Sequence, residues 1–402
     1  MVYPNPKQPL LGVFVRERAR HVARHHPSVV VAPRPWFPGD GPIRGSRWAG
    51  VPREERDGDL VVHHPAFLSV PGVMKSMDAG FYAASLLPFL VRLRRQFPFD
   101  LIDAHFAYPD GAAAVMLGRI FRCPVTITVR GTIVPLSRRL LRRAQIRAAL
   151  KAADAVFPVS ETLKAAVTSL GVPADRVRVI PNGVDTGIFQ PGDRSAARDR
   201  LGLPREATIV VSVASLSLRK GHQRVLDSLP AAVRAHPGLL YVAVGGASPE
   251  GDTGPLLRTM IAERGLGEHV RLVGARPHDE IPTWLQAADL FCLATSNEGR
   301  ANVLIEALAC GVPVVTTRIP ANEELVEAGR DGLLVPLDEP AALAGALVEA
   351  ARTPWDRADI ARRAGARGWE DAATEVAAEF DRILSRRLPG QRSFMRDRMP
   401  EV

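Results

Sequence analysis

Two glutamates eight residues apart, Glu298 and Glu306, bracket the start of an apolar run, Ala307-Leu308-Ala309-Cys310, that Gly311 closes. Glycine after the last apolar residue predicts a helix end, and the valine-rich stretch beyond it, 312–317, reads as a strand. A helix that starts near Asn302 turns the backbone N–H groups of Asn302, Val303 and Leu304 toward whatever binds there. Such N–H groups and the helix dipole suit a phosphate or diphosphate. Glu306, one turn further in, can accept two hydrogen bonds from a vicinal diol such as a ribose. Glu298, ahead of the helix, can reach another hydroxylated group. An anion, a diol and a second polyol held together describe a sugar nucleotide. The spacing alone also fits an ordinary amphipathic helix with solvent-facing carboxylates, so the surrounding pattern has to carry the reading.

That pattern is alternating. Apolar strand-like runs at 29–32, 60–63, 101–104, 125–129, 155–158 and 177–180 are separated by helical periodicity, as at 13–24 and 111–121. Pro181-Asn182-Gly183 marks a turn, and Gln190-Pro191-Gly192-Asp193 reads as a linker. A second series follows, with strands at 209–213, 240–244, 270–273, 290–293, 314–316 and 333–335. Its helices are expected at 223–235, 256–264, 281–287 and 341–351, and a last amphipathic helix at 369–384 carries Trp369, Ala373, Val376, Phe380 and Ile383 on one face. The expected fold is therefore α/β, with two doubly wound Rossmann-like domains facing a cleft, because ligands of such sheets sit beyond the carboxyl ends of the strands. The expected division is 1–188, 189–368, a helix at 369–388 packing back on the first domain, and a basic tail at 389–402. Helix 13–24 has no strand before it, since residues 1–11 carry three prolines. The first strand of the N-terminal domain is expected to be missing and the true start to lie upstream.

Bulk properties agree with a soluble two-domain protein. The chain has 402 residues, 46% hydrophobic and 24% charged. It contains no run of 18 apolar residues, and the longest apolar stretch, 81–91, holds Pro88 and reads as a core helix. Cys123, Cys292 and Cys310 lie far apart in apolar contexts, which points to reduced core cysteines and a cytoplasmic location. No zinc or nucleic-acid-binding signature is present. The 52 Lys and Arg against 43 Asp and Glu leave a net charge of +9, which favours anionic partners such as nucleotides, lipid phosphates or a membrane face. The lysines are few: Lys7, Lys75, Lys151, Lys164 and Lys220.

Several motifs in order resemble the family 4 glycosyltransferases of the GT-B fold. They are the segment from Glu298 to Val315, Arg219-Lys220-Gly221, and Val179-Ile180-Pro181-Asn182-Gly183-Val184-Asp185 with Phe189 and Pro191. Phe14-Val15-Arg16-Glu17-Arg18-Ala19, Asp103-Ala104-His105 with Tyr108-Pro109-Asp110-Gly111, and Thr128-Val129-Arg130-Gly131-Thr132 match the N-terminal half. The arrangement is most similar to transferases of bacterial polysaccharide pathways, including teichuronic-acid-type enzymes. The resemblance implies retaining transfer from a nucleoside-diphosphate sugar, with no metal and no cofactor besides that donor. It implies that Lys220 contacts the donor diphosphate, Glu298 holds hydroxyls of the donor sugar, Glu306 binds the ribose, and His105 reaches the sugar from the other domain. Arg130 and Gly131 are expected to meet an acidic acceptor or a phosphate, and Gly12 to be the remnant of a glycine-rich loop near the diphosphate. Ser215 stands where the family commonly has arginine, so one cation of the donor site is missing, with Arg219 or Arg300 as replacements. Ile133 stands where an acidic residue is common.

A basic helical stretch completes the inventory. Arg139, Arg143 and Arg147 repeat at four-residue spacing, joined by Arg138 and Arg142. Like charges at that spacing weaken an isolated helix by about 0.2–0.5 kcal/mol per pair, so an anionic partner is expected. With Leu140, Leu141 and Ile146 the helix would rest on anionic lipid, as a lipid-linked glycan acceptor requires. The expected function is a glycosyltransferase building a polysaccharide or related glycoconjugate. A sugar-nucleotide epimerase and a non-catalytic sugar-nucleotide-binding remnant stay open beside it.

Overall fold

The computed structural model describes residues 2–39, 48, 50–70, 72, 74–248 and 250–387. The expected tail at 389–402 lies outside them. The chain divides into two compact units, one running to Asn182 and resumed from Trp369, the other spanning Gly183–Gly368. Val184 and Phe189, ahead of the linker read from the sequence, are buried in the core of the second unit. None of the described helices is long and apolar enough to cross a membrane.

In the first unit helix α1 (Val13–Val22) leads to strands β1 (Val29–Val31), β2 (Arg34–Trp36), β3 (Glu54–Asp57), β4 (Leu60–His63) and β5 (Ala66–Leu68). No described strand precedes α1. Helix α2 (Asp78–Gln96) contains Pro88, followed by β6 (Ile102–His105), α3 (Ala112–Phe121), β7 (Val125–Val129), α4 (Ile133–Leu136), α5 (Leu140–Ala152), β8 (Ala155–Pro158) and α6 (Glu161–Ser169). β6, β7 and β8 form a parallel sheet in that order, β4 pairs with β1 in parallel and β3 antiparallel, and β2 pairs with β5. The stretch at 177–180 is no strand. Its Arg178 and Ile180 N–H groups bond to the Val156 and Pro158 carbonyls, each at 3.0 Å, but only the Val156–Val177 bridge forms before Pro181 interrupts. Val22, Phe157 and Ile180 share a core with Ala372, Val376, Phe380 and Ile383 of the last helix.

The second unit holds six parallel strands: β9 (Thr208–Val213), β10 (Leu239–Val244), β11 (Val270–Gly274), β12 (Leu290–Leu293), β13 (Val314–Thr317) and β14 (Gly332–Val335). The helices between and around them are α7 (Arg194–Leu201), α8 (His222–Ala235), α9 (Gly254–Glu263), α10 (Ile281–Gln286), α11 (Asn302–Ala309), α12 (Pro320–Glu323), α13 (Pro340–Arg352) and α14 (Arg357–Ala364), with α15 (Trp369–Arg387) returning to the first unit. Strand order is β11-β10-β9-β12-β13-β14. Ile209, Val211 and Val242 pack on one face, while Val210, Tyr241 and Ala243 pack on the other. Helices on both faces bury β10, β12 and β13 along their whole length, which is why these read as unbroken apolar runs. The linker residue Asp193 is a helix cap, accepting the Ala196 N–H at 3.0 Å.

β9 and β12 are neighbours though two strands lie between them in sequence. The chain leaves them toward opposite sides, so the loops after them open a crevice at the carboxyl ends. Gly221, at the start of α8, holds these loops together. Its φ is +82°, and a Cβ there would lie 1.8 Å from the Ala294 carbonyl oxygen just past β12. Gly221→Ala is expected to cost roughly 3 kcal/mol or more, from overpacking against backbone and a left-handed conformation. Urea unfolding checks it, and a loss below 1 kcal/mol in this order-of-magnitude scale would refute the contact.

Beside it, His222 is buried, with Nδ1 2.8 Å from the Tyr241 hydroxyl and Nε2 3.2 Å from the Ala214 carbonyl oxygen. A carbonyl only accepts, so Nε2 donates and Nδ1 accepts from Tyr241. Burial, helped by Lys220 and opposed by the Ala214 bond, lowers its pKa from 6.5 to about 4. The unfolded chain takes up this proton first, so stability is complete above pH 6.5 and falls as pH drops toward 4. The loss amounts to about 3 kcal/mol. In His222→Gln the difference in unfolding free energy between pH 7 and pH 4.5 should shrink by about that amount. Identical pH slopes in the two proteins would exclude this account.

Candidate functional site

The loop after β9 carries Ser215, Arg219 and Lys220, and the loop after β12 carries Thr295 and Glu298. They meet on one carboxylate oxygen. Glu298 Oε1 accepts from Lys220 Nζ at 2.7 Å, from Arg219 Nη1 at 3.0 Å and from Thr295 Oγ1 at 3.0 Å. The Glu298 side chain is only 8% exposed, so these charge-assisted bonds are screened little by solvent. The Oε2 atom has no partner among the described residues. Lys220 has no other partner either, which leaves two of its three ammonium N–H groups for a ligand.

Arg219 is committed elsewhere. It forks onto Glu250, Nε to Oε2 and Nη2 to Oε1, both at 2.9 Å, and Nη1 also donates to the Asn297 carbonyl at 2.8 Å. Burial disfavours its charge, but the bond to Glu250 and the field of Glu298 outweigh that and raise its pKa. Glu250 is likewise held low against its burial by Arg219. Arg219 therefore buttresses Glu298, and it is not a spare cation replacing the arginine absent at Ser215. The Ser215 hydroxyl lies 3.5 Å from Ser217 Oγ. Arg300 is half-buried, with an Nε that finds no acceptor among the described residues. Burial and the like charge of Arg367, against the attraction of Glu324, pull its pKa down to about 10.

α11 starts at Asn302 with no side-chain cap. Of the three N–H groups expected to face a ligand, that of Leu304 is taken by the Ala301 carbonyl at 3.0 Å, which closes the first turn, while Asn302 and Val303 open the helix. Glu306 sits in the second turn, half-buried, its Oε1 3.8 Å from His278 Nε2. His278 packs edge-on against Phe189 at 5.4 Å. Sequence reading missed Glu250, Thr295 and His278. Glu250 and His278 reach the site from loops after β10 and β11, and only the strand order brings them there.

The first unit has its own cluster at the carboxyl ends of β6 and β7. His105 Nε2 is 3.3 Å from Asp103 Oδ2, and Arg130 Nη2 is 3.5 Å from His105 Nδ1. Arginine only donates, so Nδ1 accepts and Nε2 carries the proton toward Asp103. Burial, reinforced by Arg130 and Arg18, holds the His105 pKa below its usual value, and the imidazole is neutral. Both ring nitrogens are engaged within this unit, where His105 lies between Arg130 and Asp103 with its side chain 17% exposed. Gly131 begins the turn into α4, its carbonyl accepting the Val134 N–H at 3.4 Å. Gly12, φ +74°, caps α1, and a Cβ there would meet Val2 Cγ1 at 2.6 Å, so its open face is filled by Val2.

On the basic stretch, Arg138, Arg139, Arg143 and Arg147 are exposed, whereas Arg142 lies over the Tyr108 ring at 6.0 Å. Leu140 and Leu141 are 82% and 69% exposed. Ile146, expected with them, is fully buried under α5, because it faces the β-sheet side of the helix.

Comparison with known proteins completes the picture. A family model described as Glycosyltransferase Family 4 matches residues 11–187, and one described as Glycosyl transferases group 1 matches 193–367. The chain is 31% identical over 392 residues to D-inositol 3-phosphate glycosyltransferase 1 of Catenulispora acidiphila, covering 92% of this chain and 90% of the relative. It is 28% identical over 328 residues to the putative teichuronic acid biosynthesis glycosyltransferase TuaC of Bacillus subtilis, covering 79% of each. Among solved structures, sucrose-phosphate synthase of Thermosynechococcus elongatus superposes with a TM-score of 0.77 at 21% identity over 93% of each chain. Anabaena HepE, solved with UDP-glucose, does so with 0.71 at 21% identity over 95% of this chain and 97% of its own. The structural likenesses establish the GT-B fold class of two Rossmann-like domains, and the sequence match along nearly the whole chain establishes descent. This chain belongs to the family 4 glycosyltransferases.

Proposed function

We propose that this transferase takes a sugar from a nucleoside-diphosphate donor held at the β9–β12 crevice and passes it, with retention, to a glycan or lipid-linked acceptor. The observation that carries the reading is the Lys220 Nζ–Glu298 Oε1 bond of 2.7 Å at the switch point of the sheet. Glu298 fixes the ammonium in place and keeps Oε2 for a sugar hydroxyl. In the transfer the bond from the anomeric carbon to the diphosphate oxygen breaks, and the acceptor oxygen forms the new bond to that carbon. The acceptor proton leaves with the departing diphosphate. Negative charge grows on the diphosphate as its bond breaks, so a fixed cation lowers the barrier more than it stabilises the bound donor. Lys220 and the opening N–H groups of α11 supply that stabilisation in this reading, with no metal assigned to it. Glu306 holds the ribose diol. Uridine diphosphate is the first nucleotide to test, since HepE was solved with UDP-glucose.

Calorimetric titration with UDP, GDP and ADP should find one that binds, and Glu306→Ala should weaken it roughly ten- to a hundred-fold, the cost of losing hydrogen bonds to a charged group. Unchanged affinity in the folded variant would remove the ribose role.

For the acceptor, the exposed Leu140 and Leu141 among Arg138, Arg139 and Arg143 support docking on an anionic bilayer. Co-sedimentation with phosphatidylglycerol vesicles is expected for the wild type, reduced in Leu140→Ser/Leu141→Ser and absent with phosphatidylcholine alone. Equal recovery with both lipids would count against this role.

A further inference from the structure

The exposed leucines at the start of α5 are not alone on their side of the first unit. Met74 and Met77, in the turn that leads into α2, are 50% and 49% exposed. A single exposed apolar residue is ordinary on a protein surface, whereas a contiguous group rimmed by charge marks a contact surface. Whether the turn and the helix form such a group depends on how they are joined.

They are joined through the backbone of the turn. Gln145 Nε2 of α5 donates to the Ser76 carbonyl at 2.7 Å, and Ser76 is the residue just before Met77. Gln145 follows Leu141 by four positions, so the two are neighbours on one face of α5. The Tyr108 hydroxyl donates to the Lys75 carbonyl at 2.7 Å, and Arg142 of α5 lies over the Tyr108 ring at 6.0 Å. The turn also closes on itself, with the Met77 N–H bonded to the Met74 carbonyl at 2.8 Å. Lys75 Nζ is held by Ser69 Oγ at 2.8 Å and Asp78 Oδ2 at 3.3 Å, so its charge is matched. The most exposed side chains of the turn are therefore its methionines, beside Leu140 and Leu141. Around them Arg138, Arg139 and Arg143 are exposed and form no ion pair among the described residues.

From this arrangement we propose that the 74–77 turn is a second lipid-inserting element, acting with the start of α5 on an anionic bilayer. Met74 and Met77 enter the acyl boundary beside Leu140 and Leu141, while Arg138, Arg139 and Arg143 meet the lipid phosphates. An apolar tip with a cationic rim is complementary to such a surface, where headgroup anions lie just outside the hydrocarbon. Methionine suits the acyl boundary because its unbranched thioether chain adapts to irregular apolar surroundings. The inference rests on the docking of α5 and deepens it. A helix inserted alone can roll about its own axis, whereas a helix tied to a second inserted segment meets the bilayer with one fixed face of the first unit.

The experiment places a nitrobenzoxadiazole label on Met77→Cys in the full chain, the three native cysteines being buried. Phosphatidylglycerol vesicles are expected to brighten the label and shift its emission to the blue, and lipids spin-labelled near the carbonyl end of the acyl chain to quench it. Phosphatidylcholine alone should do neither. Met74→Ser/Met77→Ser, with folding checked by circular dichroism, should weaken binding to phosphatidylglycerol vesicles roughly ten-fold, from the apolar burial that is lost. A label left unshifted while the chain co-sediments with these vesicles overturns the insertion, and so does an unchanged affinity in the folded double variant. Either result leaves docking by α5 standing if Leu140→Ser/Leu141→Ser still reduces sedimentation. A blue shift that grows with protein concentration in the absence of vesicles assigns the patch to a second copy of the chain and overturns it too. Failure of the wild type to sediment with phosphatidylglycerol removes the docking reading itself, and this inference with it.

Discussion

At Gly221 the chain passes so close to the Ala294 carbonyl that no side chain fits between them, and the chemistry of the second unit depends on that approach. It joins the end of the β9 loop to the end of the β12 loop. Lys220 is thereby brought onto Glu298, and Arg219 is carried to the Asn297 carbonyl. His222, on the other side of the glycine, anchors the same turn to Ala214 and Tyr241. A larger residue would separate the loops and scatter the cluster, because both neighbours of the contact are backbone and cannot move aside cheaply.

Charge balance then organises the site of the second unit. The pair of cations and pair of carboxylates around Glu298 form a self-consistent network that holds Lys220 without neutralising all its donors. Preorganisation of this kind is useful to a leaving group whose charge grows during reaction, since the dipoles and charges need no rearrangement at that moment. The cluster at Arg130 is held by longer hydrogen bonds, 3.4 Å from Nη1 to Asn182 Oδ1 and 3.5 Å from Nη2 to His105 Nδ1. The two sites share a position in their sheets, at the carboxyl ends of parallel strands, although the residues that fill them differ.

Strands buried on both faces announce themselves by uninterrupted apolar residues, and β10 is one, with every residue from Leu239 to Val244 buried. β2 and β3 did not. Arg34-Pro35-Trp36 and Glu54-Glu55-Arg56-Asp57 read as polar or broken segments, because β2 belongs to a two-stranded sheet and β3 is an edge strand on which Glu54 and Arg56 face solvent while Glu55 and Asp57 pair with His64 and Arg20. The reverse error occurred at 177–180, apolar enough for a strand yet stopped at Pro181. Ile146 shows the same limit on a helix, where periodicity marks an apolar face without saying whether protein or lipid covers it.

The sequence by itself determined the alternation of strands and helices, the family, and the residues Lys220, Glu298 and Glu306, since these depend on local pattern and on motifs contiguous in the chain. Tertiary structure decided what those residues touch. Glu250 on Arg219, His278 beside Glu306 and Arg18 against Arg130 are separated along the chain by 31, 28 and 112 residues. Strand order and helix docking bring them together, and burial then sets their charge. Neither is encoded in spacing along the chain, because a side chain's field and solvent access depend on every element packed around it.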